Sequence, residues 1–261
     1  MTPPEKKPYY AMTSLVKAFN IMELLANKGP MSVSQVAQVM GIPRSGSHRF
    51  LANLRALGYV VQNADSKYQL SFKLFQMGMN VVSGLEIRQV ARPFMEELAD
   101  HFSETVILGY LDGDEVIYVD KIQSTHTLRA DLALGNRVPV YCTSMGKAIV
   151  SVMPERQQKA LLDAIDFKVY TPFTITDRLQ LQKDLDQARQ NGFATCNQEF
   201  HMGITAIAAP VFNYDNNATY ALSVSGPTFR MSEERIVEIQ KTVKEATSRL
   251  SDRMGHLKSS N

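Results

Sequence analysis

Glycine and proline punctuate the N-terminal part of the chain at Gly29-Pro30, Gly41-Ile42-Pro43 and Gly58, and cut it into three helical runs joined by short turns. In the first run Leu15, Ala18, Phe19, Met22 and Leu25 recur at helical spacing, and Gly29-Pro30 ends it. The second run is short. Ser32 can cap it, and Gln35, three residues on, can reach back to make a capping box; Val33, Val36, Ala37 and Met40 form its inner face, and Gly41 stops it. The third runs from about Arg44 to Leu57. Two short extended runs follow, Tyr59-Val60-Val61 and Lys67-Tyr68-Gln69-Leu70, around a polar turn at 63–66, which predicts a β-hairpin. Three helices and then a hairpin is the element order of a winged helix-turn-helix.

At 100° per residue the third helix places Phe50, Leu51, Leu54 and Leu57 on one face with Ser47 beside them, and turns Ser45, His48, Arg49 and Ala52 outward. Short polar groups and a forked Arg donor near the N-terminal half are what a major-groove helix needs. A solvated amphipathic helix with incidental Arg and Ser explains the same face taken alone. Charge helps to decide. Residues 1–80 carry nine Lys/Arg against three Asp/Glu, a net of +6, while residues 81–261 carry 19 against 23, a net of −4. A small basic module joined to an acidic body suits a polyanionic partner, and double-stranded DNA is the expected one. Ser45, His48 and Arg49 are the candidate base contacts, with Arg44 and Lys67 on phosphates.

Residues 71–102 read as two helices: a linker opened by Phe72, Leu74, Phe75 and Met79 and broken near Ser83-Gly84, then a run from about Glu86 to Phe102 with Val90, Phe94, Leu98 and Phe102 on one side. Phe72, Phe75 and Met79 are candidates for a dimer contact, with packing onto the chain's own domain as the other reading. Beyond Glu104 strands alternate with helices. Thr105–Leu111 and Glu115–Gln123 flank the hairpin turn Asp112-Gly113-Asp114; Thr127–Leu134 and Arg137–Cys142 read as strands; a helix spans about Ser144–Met153 and another Asp177–Asn191, closed by Gly192. Phe193–Asn197, Ile204–Phe212 and Thr219–Ser225 read as strands and Glu233–Met254 as a terminal helix. The fold class is therefore α+β: a winged helix-turn-helix domain over 13–71, a helical linker over 72–85, and a ligand-sensing sheet with flanking helices over 86–255.

Enzyme chemistry finds little support. Cys142, Cys196, His126 and His201 lack the short spacings of a zinc module, so no metal site is expected, and no local signature marks a nucleophilic cysteine. Buried reduced thiols are the simpler reading. Gly146-Lys147 falls short of a phosphate loop because 141 is Tyr and 148 is Ala. Glu199 and Asp120 read as surface or structural carboxylates, and no cofactor is implied. With two cysteines, no signal-peptide run and no membrane-length apolar stretch, a cytoplasmic protein is expected.

The chain resembles the IclR family of bacterial transcriptional regulators from about Thr13 to Gly255, through GIPRSGSHRFLANLRALGYV at 41–60, LGNRVPVYCTSMGKAI at 134–149, and QEFHMGITAIAAPVF…ALSVSGP within 198–227. The resemblance implies a homodimer or homotetramer, a GAF-like or profilin-like mixed α/β effector domain, and repression of a catabolic operon in response to a small organic acid. Activation, or a basic domain serving a partner other than DNA, are the alternatives. It departs from the family at Gly46, often Thr, and at Lys17, commonly Arg. In relatives that bind small keto acids an Asp and a Cys touch the ligand; the matching positions here are Cys196 and Ala206, so the same effector does not simply carry over. Leu128-Arg129 through Tyr141-Cys142 is more like members tuned to sugar acids. The expected pocket comprises Thr143, Ser144, Met145, Gly146 and Lys147 at a helix N-terminus, where free amides bind carboxylates. Ser223 and Ser225 face it, on one side of their strand. Cys196 and Ala206 line the rest, and Arg129 is a possible charge partner.

Overall fold

The structure, a computed structural model, describes residues 12–83, 86–130 and 132–256, with the backbone alone for 79–83 and 86. The chain forms two compact units, Met1–Gly84 and Leu85–Asn261, so the linker helix belongs to the first.

The first unit contains α1 (Thr13–Lys28), α2 (Val33–Met40), α3 (Arg44–Ala56), the hairpin β1 (Val60–Gln62) and β2 (Tyr68–Leu70), and α4 (Phe72–Ser83). Its core is Ile21, Leu25, Val36, Leu51, Leu54, Val60 and Tyr68. In α1 the buried stripe runs through Ile21 and Leu25, with Ala18 and Met22 packed against it. Leu15 and Phe19, members of the same apolar repeat, are exposed because they sit on the next row of the helix surface. The capping box of α2 is formed: Ser32 N–H donates to Gln35 Oε1 at 2.9 Å, and Gln35 N–H donates to Ser32 Oγ at 3.3 Å. Gly41 closes α2 at φ 61°, a left-handed conformation that a Cβ would strain. Met31 and Tyr68 exchange two backbone bonds, of 2.9 and 2.8 Å, tying the α1–α2 connection to the hairpin. On α4, Phe72 and Phe75 are exposed; the side chain of Met79 lies outside the described residues, as do Gly84 and Leu85.

The second unit contains α5 (Glu86–Phe102), β3 (Thr105–Asp112), β4 (Glu115–Ile122), β5 (Arg137–Pro139), α6 (Ser144–Ser151), α7 (Glu155–Ala164), α8 (Arg178–Asn191), β6 (Ala194–Asn197), β7 (Ile204–Phe212), β8 (Ala218–Pro227) and α9 (Glu233–Arg253). Six strands make one sheet in the order β5-β4-β3-β8-β7-β6, every pairing antiparallel. Side chains alternate across it. Val106, Leu108, Ile207, Ala209, Leu222 and Val224 pack with α5 and α9, while Ile107, Tyr118, Ala208 and Ala221 face α6 and α8. All eight residues of α6 are buried.

Two sequence expectations fail here. Residues 127–130 and 132–134 are irregular, not a strand. Side chains, not a neighbouring strand, take up the carbonyls: Arg230 donates to Leu128 O at 2.9 Å, Thr105 to Ala130 O at 3.4 Å and Lys121 to Leu132 O at 2.7 Å. The strand expected at 137–142 stops at Pro139 and continues as a 3-10 turn, Val140–Cys142. A further helix, α7, has a sparse apolar pattern with only Gln158 and Leu162 buried, too weak a periodicity to read in advance.

Candidate functional site

Each unit presents one surface suited to a partner. In the first, α3 buries Ser47, Leu51 and Leu54, and Ser47 Oγ donates to Val33 O at 3.2 Å, which fixes α3 against α2. With that face held, Arg44, Ser45, His48 and Arg49 stand in solvent. Lys67 lies half-buried on the hairpin turn, where its amide donates to Asn63 Oδ1 at 2.9 Å. None of these five side chains makes a hydrogen bond or ion pair with a described residue. Other basic groups nearby are engaged: Arg55 binds Gln62 at 3.1 Å, and Lys73 binds Leu57 O at 2.8 Å. The N-terminal ends of α1 and α3 border a cleft of about 640 Å³ that includes Thr13, Ser14, Lys17, Ser45, Gly46 and Arg49. Thr13 and Ser14 carry no helix-face signal of their own, so sequence reasoning missed them. A Cβ on Gly46 would meet nothing within 4 Å, so packing does not demand this glycine.

In the second unit Thr143, Ser144, Met145, Cys196, Ala206, Ser223 and Ser225 line one cavity of about 40 Å³, drawn from α6 and its cap, β6, β7 and β8. The alternation of β8 turns Ser223 and Ser225 to the same side, 3.1 Å apart between hydroxyls, and Ser144 Oγ lies 3.4 Å from Ser223 Oγ. The amides of Ser144 and Met145 open α6 and have no helical partner by position; no other described residue accepts from them. Thr143 is the N-cap of α6. Its hydroxyl donates to Pro139 O at 2.8 Å and accepts from Gly146 N–H at 3.3 Å, so it is already occupied.

Gly146, Lys147 and Arg129 are not in the cavity wall. A Cβ on Gly146 would collide with the backbone of Val140, so this glycine lets the 3-10 turn lie against α6. Lys147 reaches Glu199 at 2.6 Å and Asp184 at 3.2 Å. Burial works to discharge its ammonium, but the two carboxylates outweigh it and hold the group above its ordinary value; the same burial raises the carboxyl of Glu199. This is a structural ion pair. Arg129 donates to His126 O at 3.1 Å.

Tyr118, Leu132, Phe200, His201 and Ile204 complete the wall and were missed. The alternation of β4 could have pointed to Tyr118, which shares a sheet face with Val116 two residues away; the loop residues Phe200 and His201 carry no periodicity to read. Burial pushes the Tyr118 phenol up and the Cys196 thiol up to about 11, so both are neutral at neutral pH. Cys196 donates to Cys142 O at 3.1 Å, and the Cys142 thiol is raised by burial as well. Buried, protonated thiols are poor nucleophiles. No group of three or more His, Cys, Asp or Glu able to hold a metal occurs among the described residues, and none of their helices is long and apolar enough to cross a membrane.

Residues 79–252 match the family described as bacterial transcriptional regulator IclR C-terminal, and residues 14–64 match the IclR helix-turn-helix domain. Among curated relatives, the HTH-type transcriptional regulator KdgR of Escherichia coli K12 is 34% identical over 247 residues, 94% of each chain. XynR of the same strain is 31% identical over 93% of this chain and 97% of its own. The crystal structure of Thermotoga maritima IclR aligns with a TM-score of 0.81 at 30% identity, covering 94% of this chain and all of that one. An IclR homologue from Microbacterium hydrocarbonoxydans, complexed with 4-hydroxybenzoate, shares the fold at 21% identity and a TM-score of 0.78, over 92% of this chain and 100% of its own.

Proposed function

Because this chain belongs to the IclR family of bacterial transcriptional regulators, we infer that its two free surfaces are the two ends of one response: α3 reads an operator, and the cavity beside α6 senses a small carboxylate. The protein is a DNA-binding transcription regulator with an effector domain, not an enzyme. The finer reading is a cytoplasmic repressor of a catabolic operon that responds to a keto acid or sugar acid.

One observation carries the effector half. Ser144 and Met145, whose amides have no acceptor among the described residues, line one small, largely apolar cavity together with Ser223 and Ser225, whose hydroxyls lie beside that of Ser144. Neutral donors at a helix N-terminus suit a carboxylate, and the apolar remainder suits a short carbon skeleton. A homologue of the same fold from Microbacterium has been crystallised with 4-hydroxybenzoate, itself a small carboxylate. On the DNA side, Ser45, His48 and Arg49 are placed to meet bases, and Arg44 and Lys67 to meet phosphates. The exposed Phe72 and Phe75 of α4 support a symmetric dimer, the usual means of reading two half-sites. A stable monomer in sedimentation at micromolar concentration contradicts the dimer.

The test is a thermal-shift screen of keto acids and sugar acids, since a ligand that binds only the native state raises apparent stability. The best ligand is then titrated against the double variant Ser223→Ala with Ser225→Ala. Weakened binding is expected; unchanged affinity rules out this cavity.

A further inference from the structure

The described residues lining the cavity include no lysine and no arginine. Lys147 does not line it and is matched by Glu199 and Asp184, and Arg129 donates to His126 O. Yet a carboxylate entering a mostly apolar space loses its water and needs a counter-charge or dense hydrogen bonding in return. One wall residue can carry positive charge near neutral pH: His201, on the loop between β6 and β7. Its ring lies 4.4 Å from that of Phe200, the residue as a whole is exposed to solvent at the cavity's edge, and its imidazole has no hydrogen-bond partner among the described residues.

We propose that His201 is the switchable counter-charge of the effector cavity, taking up a proton when a carboxylate binds, so that the regulator grips its effector more tightly as the pH falls. The proposal rests on the carboxylate reading above. The titratable groups that share the wall do not compete for this role, because Tyr118 and Cys196 stay protonated and neutral at neutral pH. Glu199, next but one along the loop, is neutralised by Lys147. Tyr170 reaches His201 only through Phe200, its ring 4.8 Å from that of Phe200. In the empty protein burial holds the imidazole below its ordinary value, so at neutral pH it is mostly uncharged and the cavity carries no standing positive charge.

The sign follows from linkage. An anion beside His201 favours imidazolium and raises its pKa, so the complex holds more protons than the free protein. Affinity therefore climbs as pH drops through the complex's pKa, and levels off below the pKa of the empty state. Simple carboxylic acids stay ionised throughout this range, so the ligand contributes no titration of its own.

Isothermal titration of the full chain with pyruvate, 4-hydroxybenzoate and D-gluconate, at about pH 5.5 and about pH 8, tests this. At least one probe should bind about tenfold more tightly at the lower pH, with an enthalpy that varies with buffer ionisation and so reports proton uptake. His201→Gln should bind weakly at both values; His201→Lys, charged throughout, should bind equally at both. The position is partly open to solvent, so neither variant should disturb the core. Affinity that does not vary with pH in the natural protein, or pH dependence that persists in His201→Gln, overturns the role of His201 and leaves the cavity assignment standing. If no carboxylate binds at either pH, the carboxylate reading itself falls, and this proposal with it.

Discussion

Helices α3 and α6 start from similar materials and use them oppositely. Each has a serine, a glycine and a cation near its N-terminus: Ser45, Gly46 and Arg49 in α3, Ser144, Gly146 and Lys147 in α6. In α3 the serine and the arginine stand in solvent, their side chains unengaged by any described residue, and the glycine faces open space. In α6 every residue is buried, the glycine lies against the backbone of Val140, and the cation is consumed by two carboxylates. A basic side chain in a helix is thus available to a ligand only if the fold has left it without a partner. The same residue types are left free in one unit and built into the architecture of the other.

The largest test of that contrast is removal of each cation. Lys147→Met should destabilise the effector domain by about 3–5 kcal/mol, because it leaves the buried Glu199 carboxylate unmatched. Adding Glu199→Leu should restore much of the loss, since an apolar pair of similar volume avoids desolvation altogether. Arg49→Ala should change stability by no more than about 0.5 kcal/mol. Urea unfolding measures all three, and equal costs for the two cations would erase the distinction.

The glycines should part in sign. Gly146→Ala drives a methyl into the backbone of Val140 and should cost about 1–3 kcal/mol, as overpacked sites do. Gly46→Ala meets open space in the first turn of α3 and should add stability, up to about 0.5 kcal/mol because the site is short of the helix interior. A loss at Gly46 in thermal unfolding would show a constraint that α3 does not display.

Smaller in scale is the division of labour on the DNA face. Arg49→Ala should cost about 1–3 kcal/mol of affinity for a fragment from the protein's own upstream region and relax its specificity. Lys67→Ala should weaken all sequences alike and lower the salt slope by about one unit. Binding measured across a salt series separates the two, and an Arg49→Ala protein with unchanged affinity would remove α3 from the major groove.

What could be read from the sequence was what neighbours in the chain decide. Ser32 and Gln35 are three residues apart, and Gly41 and Gly192 each stop the helix just before them, so the helix boundaries there could be foreseen. The pairing of Ser223 with Ser225 needed only the two-residue period of a strand. The failures that bear on the cavity are mostly long-range. Lys147 is claimed by a carboxylate 52 positions later, and nothing near Lys147 announces that. Residues 127–134 look like a strand because their composition suits one, but Thr105, Lys121 and Arg230 take carbonyls that a ladder would have used. Phe200 and His201 reach the cavity from a loop, where spacing carries no information about direction.

The complete burial of α6 also bears on how such a sensor can diversify. A helix whose eight residues are all buried tolerates few substitutions, since most would leave a hole, a clash or an unmatched charge. New ligand preferences in descendants of this chain should therefore accumulate on the other side of the cavity, at positions such as 200, 201 and 204, where Phe200 and Ile204 are half-buried and His201 is exposed. The amides of α6 would persist as an inherited anchor for the acid group, while the opposite wall varied to recognise whatever was attached to it.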